Sequence, residues 1–297
     1  MEKDILNNYK KAGEILVETL DYGEKLIKEE ESVKNILDKI EEFIAQKNVL
    51  CAFPPQISVN SCAAHYCPTD TDDIILKEGD VVKLDCGICV DGYIADSART
   101  IDLGDNKELI NASKDALGEA MKLMRPEVSL SEIGATIQEA IQSYGFSPIK
   151  NLSGHGLDRW QVHAVPQIPN IDTGDESVLE EDLVLAVEPF ATDGSGIVYE
   201  SGTASIFSLV GQRPIRSNFT REALTEIKKY NGLPFTTRWL TKKLGEGKTR
   251  FALRELTNLE MLEQHPPLVD RNKGLVSQAE HSVIVADKPI ILTKKYG

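Results

Sequence analysis

The sequence predicts an α/β (α+β) fold in which a sheet platform is interrupted by a helical insertion. Three observations carry this prediction. Apolar residues recur at helical spacing near the N-terminus, β-prone residues flank a hairpin signal at Asp91-Gly92, and strand character returns near the C-terminus after a second helical stretch. The 297 residues are enough for one large domain or two modest ones with a sizeable core.

Two amphipathic helices are predicted first. Apolar side chains repeat every three or four residues over 5–20 and again over 33–44, and Ser32 is a suitable N-cap for the second helix. We expect Pro54-Pro55 to lie in a loop, and a β region to follow that loop.

Asp91-Gly92 is a two-residue turn signal, and it fixes the register of the hairpin around it. With these residues in the turn, counting back along both strands places Gly87 opposite Asp96. Side chains alternate between the faces of a strand, so Asp85 shares a face with Gly87 and is a diagonal neighbour of Asp96, within about 7–8 Å. Two such carboxylates repel each other unless a cation lies between them. The hairpin therefore predicts a metal site.

Two further helices are predicted over 106–124 and 130–144, and the second begins with a capping box at Ser129. The apolar run over 183–187 predicts a buried strand that ends at the carboxylate of Glu188. An acidic side chain thus directly follows a predicted buried strand.

The character of the sequence changes after about Phe207. Helices are predicted over 220–230 and 248–262, and strand character returns over 276–285 and 290–292. The helical stretch thus divides the platform along the chain.

Charge and hydropathy argue against several classes of partner. The formal net charge is −14 and the pI is about 4.9, whereas unspecific binding to DNA or to an anionic membrane needs a basic surface. No stretch approaches the roughly 20 apolar residues that cross a bilayer, and the charged N-terminus has no apolar core of signal-peptide length. The five cysteines all lie in the segment from Cys51 to Cys89, and this usage fits a reducing compartment. A zinc knuckle is a less favoured interpretation of these cysteines than small apolar residues of a β core. We therefore expect a cytoplasmic protein.

Five strong metal-ligand candidates lie in strands or at the ends of elements. Each has a simpler interpretation when taken alone, such as an ion pair, a loop histidine or a solvated strand end. The five are Asp85, Asp96, His155, Glu188 and Glu280.

Together with their neighbours, these residues resemble the methionine aminopeptidases in order, type and local context, over essentially the whole chain. The helical insertion is similar to type 2 of that family, and the short N-terminal region is similar to archaeal members. The matching motifs are Asn60-Ser61-Cys62-Ala63-Ala64-His65, Lys83-Leu84-Asp85-Cys86-Gly87, Gly154-His155-Gly156, Val162-His163, Ala186-Val187-Glu188-Pro189 and Gln278-Ala279-Glu280-His281.

The resemblance implies the pita-bread fold, in which two related halves surround a site for two divalent metal ions (Mn, Fe, Co or Zn). By resemblance, Asp85 binds one ion, and His155 with Glu188 binds the other. Asp96 and Glu280 bridge the pair. The ions activate a water molecule, and Glu188 is the family's general base.

Two more histidines complete the catalytic and substrate-binding site by resemblance. His65 contacts the substrate near its scissile amide, and His163 donates a hydrogen bond to the oxyanion of the tetrahedral intermediate. Either residue alone would be interpreted as a core histidine. The residues expected to line the methionine pocket are Phe53, Val162, Ile206 and His265. The last of these replaces a tyrosine of type 2 relatives, which alters the expected pocket shape and not the reaction.

The predicted domain division assigns residues 1–207 and 267–297 to a pita-bread catalytic domain and residues 208–266 to an inserted helical subdomain. With Trp239 beside Arg238, the insertion resembles a winged-helix unit, a small binding module. The interpretation that we prefer is a structural lid or buttress that shapes the pocket.

The implied activity is removal of the initiator methionine from nascent proteins whose second residue is small. The expected partners are nascent polypeptide N-termini, with the ribosome as a further candidate, and the enzyme is expected to be monomeric. One rival is a pita-bread peptidase that cleaves Xaa-Pro bonds, but those relatives carry a separate N-terminal domain. Another is a non-catalytic relative that binds RNA or histones, but such proteins lose ligands and this chain keeps all five candidates.

Overall fold

The computed structural model describes residues 1–71 and 74–294, so residues 295–297 of the predicted catalytic domain lie outside the described part. Within the described ranges, no helix is long and apolar enough to cross a bilayer.

Helices and strands alternate along the chain. The helices are α1 (Lys3–Leu26), α2 (Val33–Gln46), α3 (Lys107–Met121), α4 (Leu130–Ser143), α5 (Asn218–Ile227), α6 (Thr237–Leu244) and α7 (Glu246–Asn258). The strands are β1 (Leu50–Val59), β2 (Cys62–Ala64), β3 (Val81–Val90), β4 (Tyr93–Asp102), β5 (Ser147–Pro148), β6 (Ser153–Asp158), β7 (Gln161–Pro169), β8 (Val184–Val187), β9 (Phe190–Thr192), β10 (Val198–Glu200), β11 (Ile206–Leu209), β12 (Phe235–Thr236), β13 (Leu262–His265), β14 (Leu268–Asp270), β15 (Val276–Gln278), β16 (His281–Ile284) and β17 (Ile290–Ile291).

The strands form one five-stranded sheet, β17-β16-β8-β6-β7, and several three-stranded sheets, of which β1-β3-β4 is the most extensive. The others are β10-β14-β2, β12-β11-β13 and β15-β9-β5. Strands from the end of the chain pair with strands from its middle, so the sheets are closed by contacts that are distant in sequence.

The four helices predicted outside the insertion are confirmed, and so are the two predicted N-caps, Ser32 and Ser129. The Ser32 hydroxyl accepts a hydrogen bond from the backbone N–H of Asn35 at 3.1 Å, at the start of α2. The Ser129 hydroxyl accepts one from the N–H of Glu132, also at 3.1 Å, at the start of α4. Each cap satisfies a helix donor that would otherwise have no partner.

The predicted hairpin register is confirmed. Gly87 pairs with Asp96 across β3 and β4, and Asp85 pairs with Ala98. The turn residues Asp91 and Gly92 both have positive φ, of 52° and 92°. This is the backbone that a tight two-residue hairpin requires, and it explains why a Gly is needed there.

The predicted loop at Pro54-Pro55 is wrong, because both prolines lie inside β1 and are buried. They sit where the pairing of β1 with β3 changes register, between Phe53 and Gln56. Proline cannot donate to a β ladder, and an irregularity on an edge strand removes the need for that donor.

The helix predicted over 248–262 ends earlier, at Asn258, because Glu260 turns the chain with a φ of 55° and β13 follows. The strand predicted over 276–285 is interrupted between β15 and β16. Glu280 lies in that interruption, and its backbone is therefore free to pair with a different strand.

The core is divided into clusters. One lies between α1, α2 and the β1-β3-β4 sheet, and a second packs α3 and α4 against the five-stranded sheet. The insertion has a cluster of its own, which includes Ile227, Phe235, Leu240 and Leu256. Asp85 and Asp96 project from β3 and β4, whereas Glu188 directly follows β8 and Glu280 lies between β15 and β16.

Candidate active site

One cavity brings together all of the side chains that the sequence analysis assigns to the site. Its volume is about 60 Å³. The predicted residues that line it are Phe53, His65, Asp85, Asp96, His155, Val162, His163, Glu188, Ile206, His265 and Glu280. Gln56, Ala64 and Pro234, which were not predicted, complete the lining.

The five ligand candidates, four acidic residues and His155, converge from separate parts of the chain. Ligand atoms of Asp96, His155 and Glu280 all lie within 4.8 Å of one another. His155 Nε2 is 3.7 Å from Asp96 Oδ2 and 3.7 Å from Glu188 Oε1. Asp85 faces the same cavity but lies outside that closest set.

The glycines on either side of His155 are required by close backbone contacts. A Cβ on Gly154 would lie 2.3 Å from the carbonyl oxygen of Ala186, and one on Gly156 would lie 2.3 Å from that of Val165. The His155 ring lies with Nδ1 3.1 Å from the Gly156 carbonyl, which accepts a hydrogen bond from it. This fixes the tautomer and leaves Nε2 free to bind a cation.

Glu280 is held in the strand interruption by β4. Its N–H donates to the carbonyl of Ala98 at 3.2 Å, and its own carbonyl accepts a bond from the Ser97 hydroxyl at 2.6 Å. The Ser282 hydroxyl bridges the N–H and the carbonyl of Asp96, each at 2.7 Å. These hydrogen bonds fix the backbones of Asp96 and Glu280, which are far apart in sequence, in position relative to each other.

Gln278 and Gln56 are functional neighbours that sequence reasoning missed. The Gln278 amide donates to Glu188 Oε2 at 3.3 Å. Gln56 Oε1 accepts from the N–H of His65 at 2.7 Å and supports the positive φ of 65° at that histidine. Gln278 lies inside one of the motifs that match the family, and this match could have identified it as a site residue. For Gln56 the sequence offers no such signal.

The four carboxyl groups of the site cannot all ionise without added positive charge. Burial raises the pKa of Asp96, Glu188 and Glu280 well above the usual range, and repulsion between the carboxylates adds to it. Burial raises the pKa of Asp85 to about 7. Among the described residues, Asp85 Oδ1, Asp96 Oδ1 and Glu280 Oε2 are buried without a hydrogen-bond partner. These orphaned oxygen atoms fit a divalent cation.

The histidines of the cavity are neutral. Burial, helped by His163, lowers the pKa of His155 to about 3, so its imidazole is in the form that binds metal. Burial, with His265 and His163 nearby, likewise lowers the pKa of His65 to about 3. The ring centroids of His163 and His155 are 4.6 Å apart, and those of His65 and His265 are 5.9 Å apart.

The apolar side of the cavity is formed by Phe53, Val162 and Ile206, which are all buried. A Cβ on Gly87 would lie 2.4 Å from the Phe53 ring, so the glycine opposite Asp96 makes room for that ring. On its outer side the cavity adjoins an open groove of about 820 Å³, which shares His65, His163 and Glu188 with it and extends along β6 and β7.

Comparison with known proteins agrees with this geometry. Residues 7–211 match metallopeptidase family M24. The chain is 43% identical over 296 residues to the methionine aminopeptidase of Archaeoglobus fulgidus, and the match covers 99% of this chain and 100% of that protein.

Solved structures show the same fold. The structure of a thermophilic Arx1 has a TM-score of 0.88 at 16% identity, over 100% of this chain and 92% of that one. The methionine aminopeptidase of Thermotoga maritima has a TM-score of 0.73 at 23% identity, over 99% of this chain and 98% of that one. The predicted pita-bread fold is confirmed. With its full-length match to a curated relative, the chain belongs to metallopeptidase family M24 and, within it, to the methionine aminopeptidases.

Proposed function

We propose that this chain carries out the methionine aminopeptidase reaction in the cavity described above, with two divalent cations. Asp85, Asp96, His155, Glu188 and Glu280 would hold the cations, which would supply Lewis-acid activation of the substrate carbonyl and of water. One neutral imidazole among carboxylate oxygens suits Mn, Fe or Co, and also accommodates Zn. The family establishes divalent metal use, and the number and identity of the ions are the proposed part.

The observation that carries the proposal is the set of buried, unpartnered carboxylate oxygens of Asp85, Asp96 and Glu280 around one cavity, among the described side chains. Ligand atoms of Asp96 and Glu280 lie within 4.8 Å of each other and of His155. Bound divalent cations polarise a substrate carbonyl and lower the pKa of water. Buried acids that meet in this way destabilise a fold unless a ligand offsets their repulsion.

Each side chain of the cavity then has a separate role in amide hydrolysis. Glu188 accepts a proton from the attacking water, and the Gln278 amide fixes the orientation of its carboxylate. His163 lies at the mouth of the cavity and donates a hydrogen bond to the developing oxyanion. His65 contacts the scissile amide from the opposite side.

Selection of an N-terminal methionine follows from the shape of the cavity. Its apolar side takes an unbranched thioether, and the small enclosed volume excludes a chain that continues beyond the free amine. The rest of the bound polypeptide lies in the outer groove, which begins at His65 and His163. A bulky second residue would meet the junction between cavity and groove, so the second residue must be small.

We also propose a cytoplasmic, monomeric enzyme that acts on nascent chains at the ribosome. The inserted segment 208–266 supports this partner, because it holds 11 Lys and Arg against 6 Asp and Glu in a protein of net charge −14. Phe219 and Phe251 are half exposed on its surface with ring centroids 6.4 Å apart, and the Lys248 ammonium lies 5.5 Å from the Phe219 ring. Exposed aromatics among basic residues suit RNA phosphates and bases.

Methionine release from defined peptides tests the activity. Metal-depleted protein is reconstituted with Mn, Co, Fe or Zn and given Met-Ala-Ser, Leu-Ala-Ser or Ala-Pro-Ser. We expect release of free methionine from the first peptide only, and only with added metal. Cleavage of Ala-Pro-Ser instead would favour the Xaa-Pro rival, and full activity in strong chelator would overturn the metal mechanism.

A further inference from the structure

Arg238 is a charged side chain in an unusual place. It lies in the first turn of α6, inside the insertion, and its side chain is 0% exposed. Nη1 donates to Asp38 Oδ1 at 2.6 Å, and Nη2 donates to Glu41. Both acceptors lie on α2 of the catalytic platform, one helical turn apart. The buried guanidinium therefore joins the insertion to the first core cluster.

The same guanidinium contacts the segment that follows His65. Its Nη2 lies 3.8 Å from Cys67 Sγ, and that sulfur lies 3.7 Å from the hydroxyl of Thr236. The carbonyl of Cys67 accepts a hydrogen bond from the Ser205 hydroxyl. Three parts of the chain thus meet at Arg238, namely α2, the segment after His65, and the strands at the base of the insertion.

Those strands form the wall of the methionine pocket. Thr236 of β12 pairs with Ile206 of β11, and Ile206 pairs in turn with His265 of β13. Pro234, just before β12, lines the same cavity. The Thr237 N–H donates to the Ser205 carbonyl at 2.9 Å and continues this pairing towards Arg238.

Building on the proposed function, we infer that Arg238 is a positioning residue for substrate selection. It ties the Ile206–His265 wall and the His65 segment to one fixed point on α2. The width of the methionine pocket therefore depends on this buried ionic contact. Arg238 touches neither the substrate nor any proposed metal ligand, so its effect is on fit and not on the chemical step.

Lys242 cannot take over this role. Its ammonium also reaches both carboxylates, with Asp38 Oδ1 at 2.7 Å and Glu41 Oε2 at 3.9 Å, but the side chain is 53% exposed. An exposed ion pair contributes little to position because water competes for both partners. The planar, forked guanidinium alone satisfies two carboxylates at once from a buried position.

The test compares Arg238→Met, which keeps length and removes charge, with Arg238→Lys and with the control Lys243→Met. Lys243 is half exposed and pairs with Glu226 inside the insertion, so the control breaks an ion pair that does not reach the platform. We expect Arg238→Met to raise KM for Met-Ala-Ser by roughly 10-fold with kcat changed less than about 3-fold. The preference for Met-Ala-Ser over Leu-Ala-Ser should fall by about 10-fold as well.

Manganese affinity should stay unchanged in Arg238→Met, Arg238→Lys should recover part of the preference, and Lys243→Met should match the parent protein. A folded Arg238→Met protein with unchanged KM and unchanged preference overturns the inference, even where its melting temperature falls. If Arg238→Met does not fold, Asp38→Asn with Glu41→Gln removes the two negative charges that face the guanidinium, and this variant must show a loss of preference in the same direction. Absence of methionine release by the parent protein would instead contradict the proposed function.

Discussion

The catalytic platform and the insertion carry their charge in opposite ways. The platform places four carboxyl groups around one small cavity, where protonation or a bound cation must offset their repulsion. The insertion displays its excess of basic residues on the surface, and its one buried cation, among the described residues, pairs with platform acids. The buried charges of the platform form the proposed metal site, whereas the exposed charges of the insertion form a candidate binding surface. We therefore expect the loss of a charge to affect catalysis strongly in the platform and weakly on the surface of the insertion.

The largest effect is expected from removing one charge in the cavity. Glu280→Gln keeps the shape of a side chain that lies between β15 and β16 but removes its charge. The kcat for Met-Ala-Ser should fall by roughly 10³-fold or more, because the second cation loses a shared ligand. Metal content by elemental analysis should fall with it. Glu246→Gln, an exposed change at the start of α7 in the insertion, is the matched control. Full metal content in an inactive Glu280→Gln protein would contradict the ligand role.

Loss of an uncharged donor in the same cavity should have a smaller effect. His163→Ala is expected to lower kcat by about 10²–10³-fold, since one oxyanion donor is removed. Metal content should be unchanged. If the variant loses metal instead, His163 is a ligand and its assignment as a donor is wrong.

The acid cluster should also make metal-free protein sensitive to alkali. Burial raises the pKa of Asp85 to about 7, above the value of about 4 in an unfolded chain. The folded state thus binds protons more tightly, and stability falls as pH rises from about 4 through about 7. The melting temperature of manganese-loaded protein should exceed that of depleted protein by a gap that widens by roughly 5 °C or more from pH 5 to pH 8. A gap that does not change with pH would contradict this origin of the metal requirement.

The smallest effect on catalysis is expected from charges on the insertion. Arg250 and Arg254 are exposed on α7, away from the cavity lining. The double change Arg250→Glu with Arg254→Glu should leave kcat/KM for Met-Ala-Ser unchanged and should weaken co-sedimentation with ribosomes by about 10-fold at low salt. Glu222→Lys with Glu246→Lys tests the opposite sign. Unchanged ribosome binding in both variants would remove the support that the insertion gives to this partner.

Local patterns predicted most of the site but little of what supports it. Asp85 and Asp96 could be related from sequence because one short turn fixes their register. Glu280 could be named from its motif, but strand character predicted over 276–285 does not reveal the interruption that presents it. That interruption is created by β4, which lies far away in sequence.

Residues whose roles depend on distant partners escaped prediction altogether. Gln56 is an ordinary strand residue until the fold brings it to the backbone of His65. Pro234 lines the pocket because β12 pairs with β11, which no local pattern indicates. Arg238 was named only as part of a winged-helix-like insertion, and the structure buries it against α2. In all three cases, the role of the residue depends on contacts between segments that are distant in sequence.

The strand interruption at Glu280 also affects biosynthesis. This last acidic side chain emerges after the whole insertion has been translated, and only then can Ser97 and Ala98 clamp its backbone. A polypeptide that stops short of Glu280 lacks one of the four carboxyl groups that line the cavity. The complete acidic set is therefore present only once the segment that follows the insertion has been synthesised.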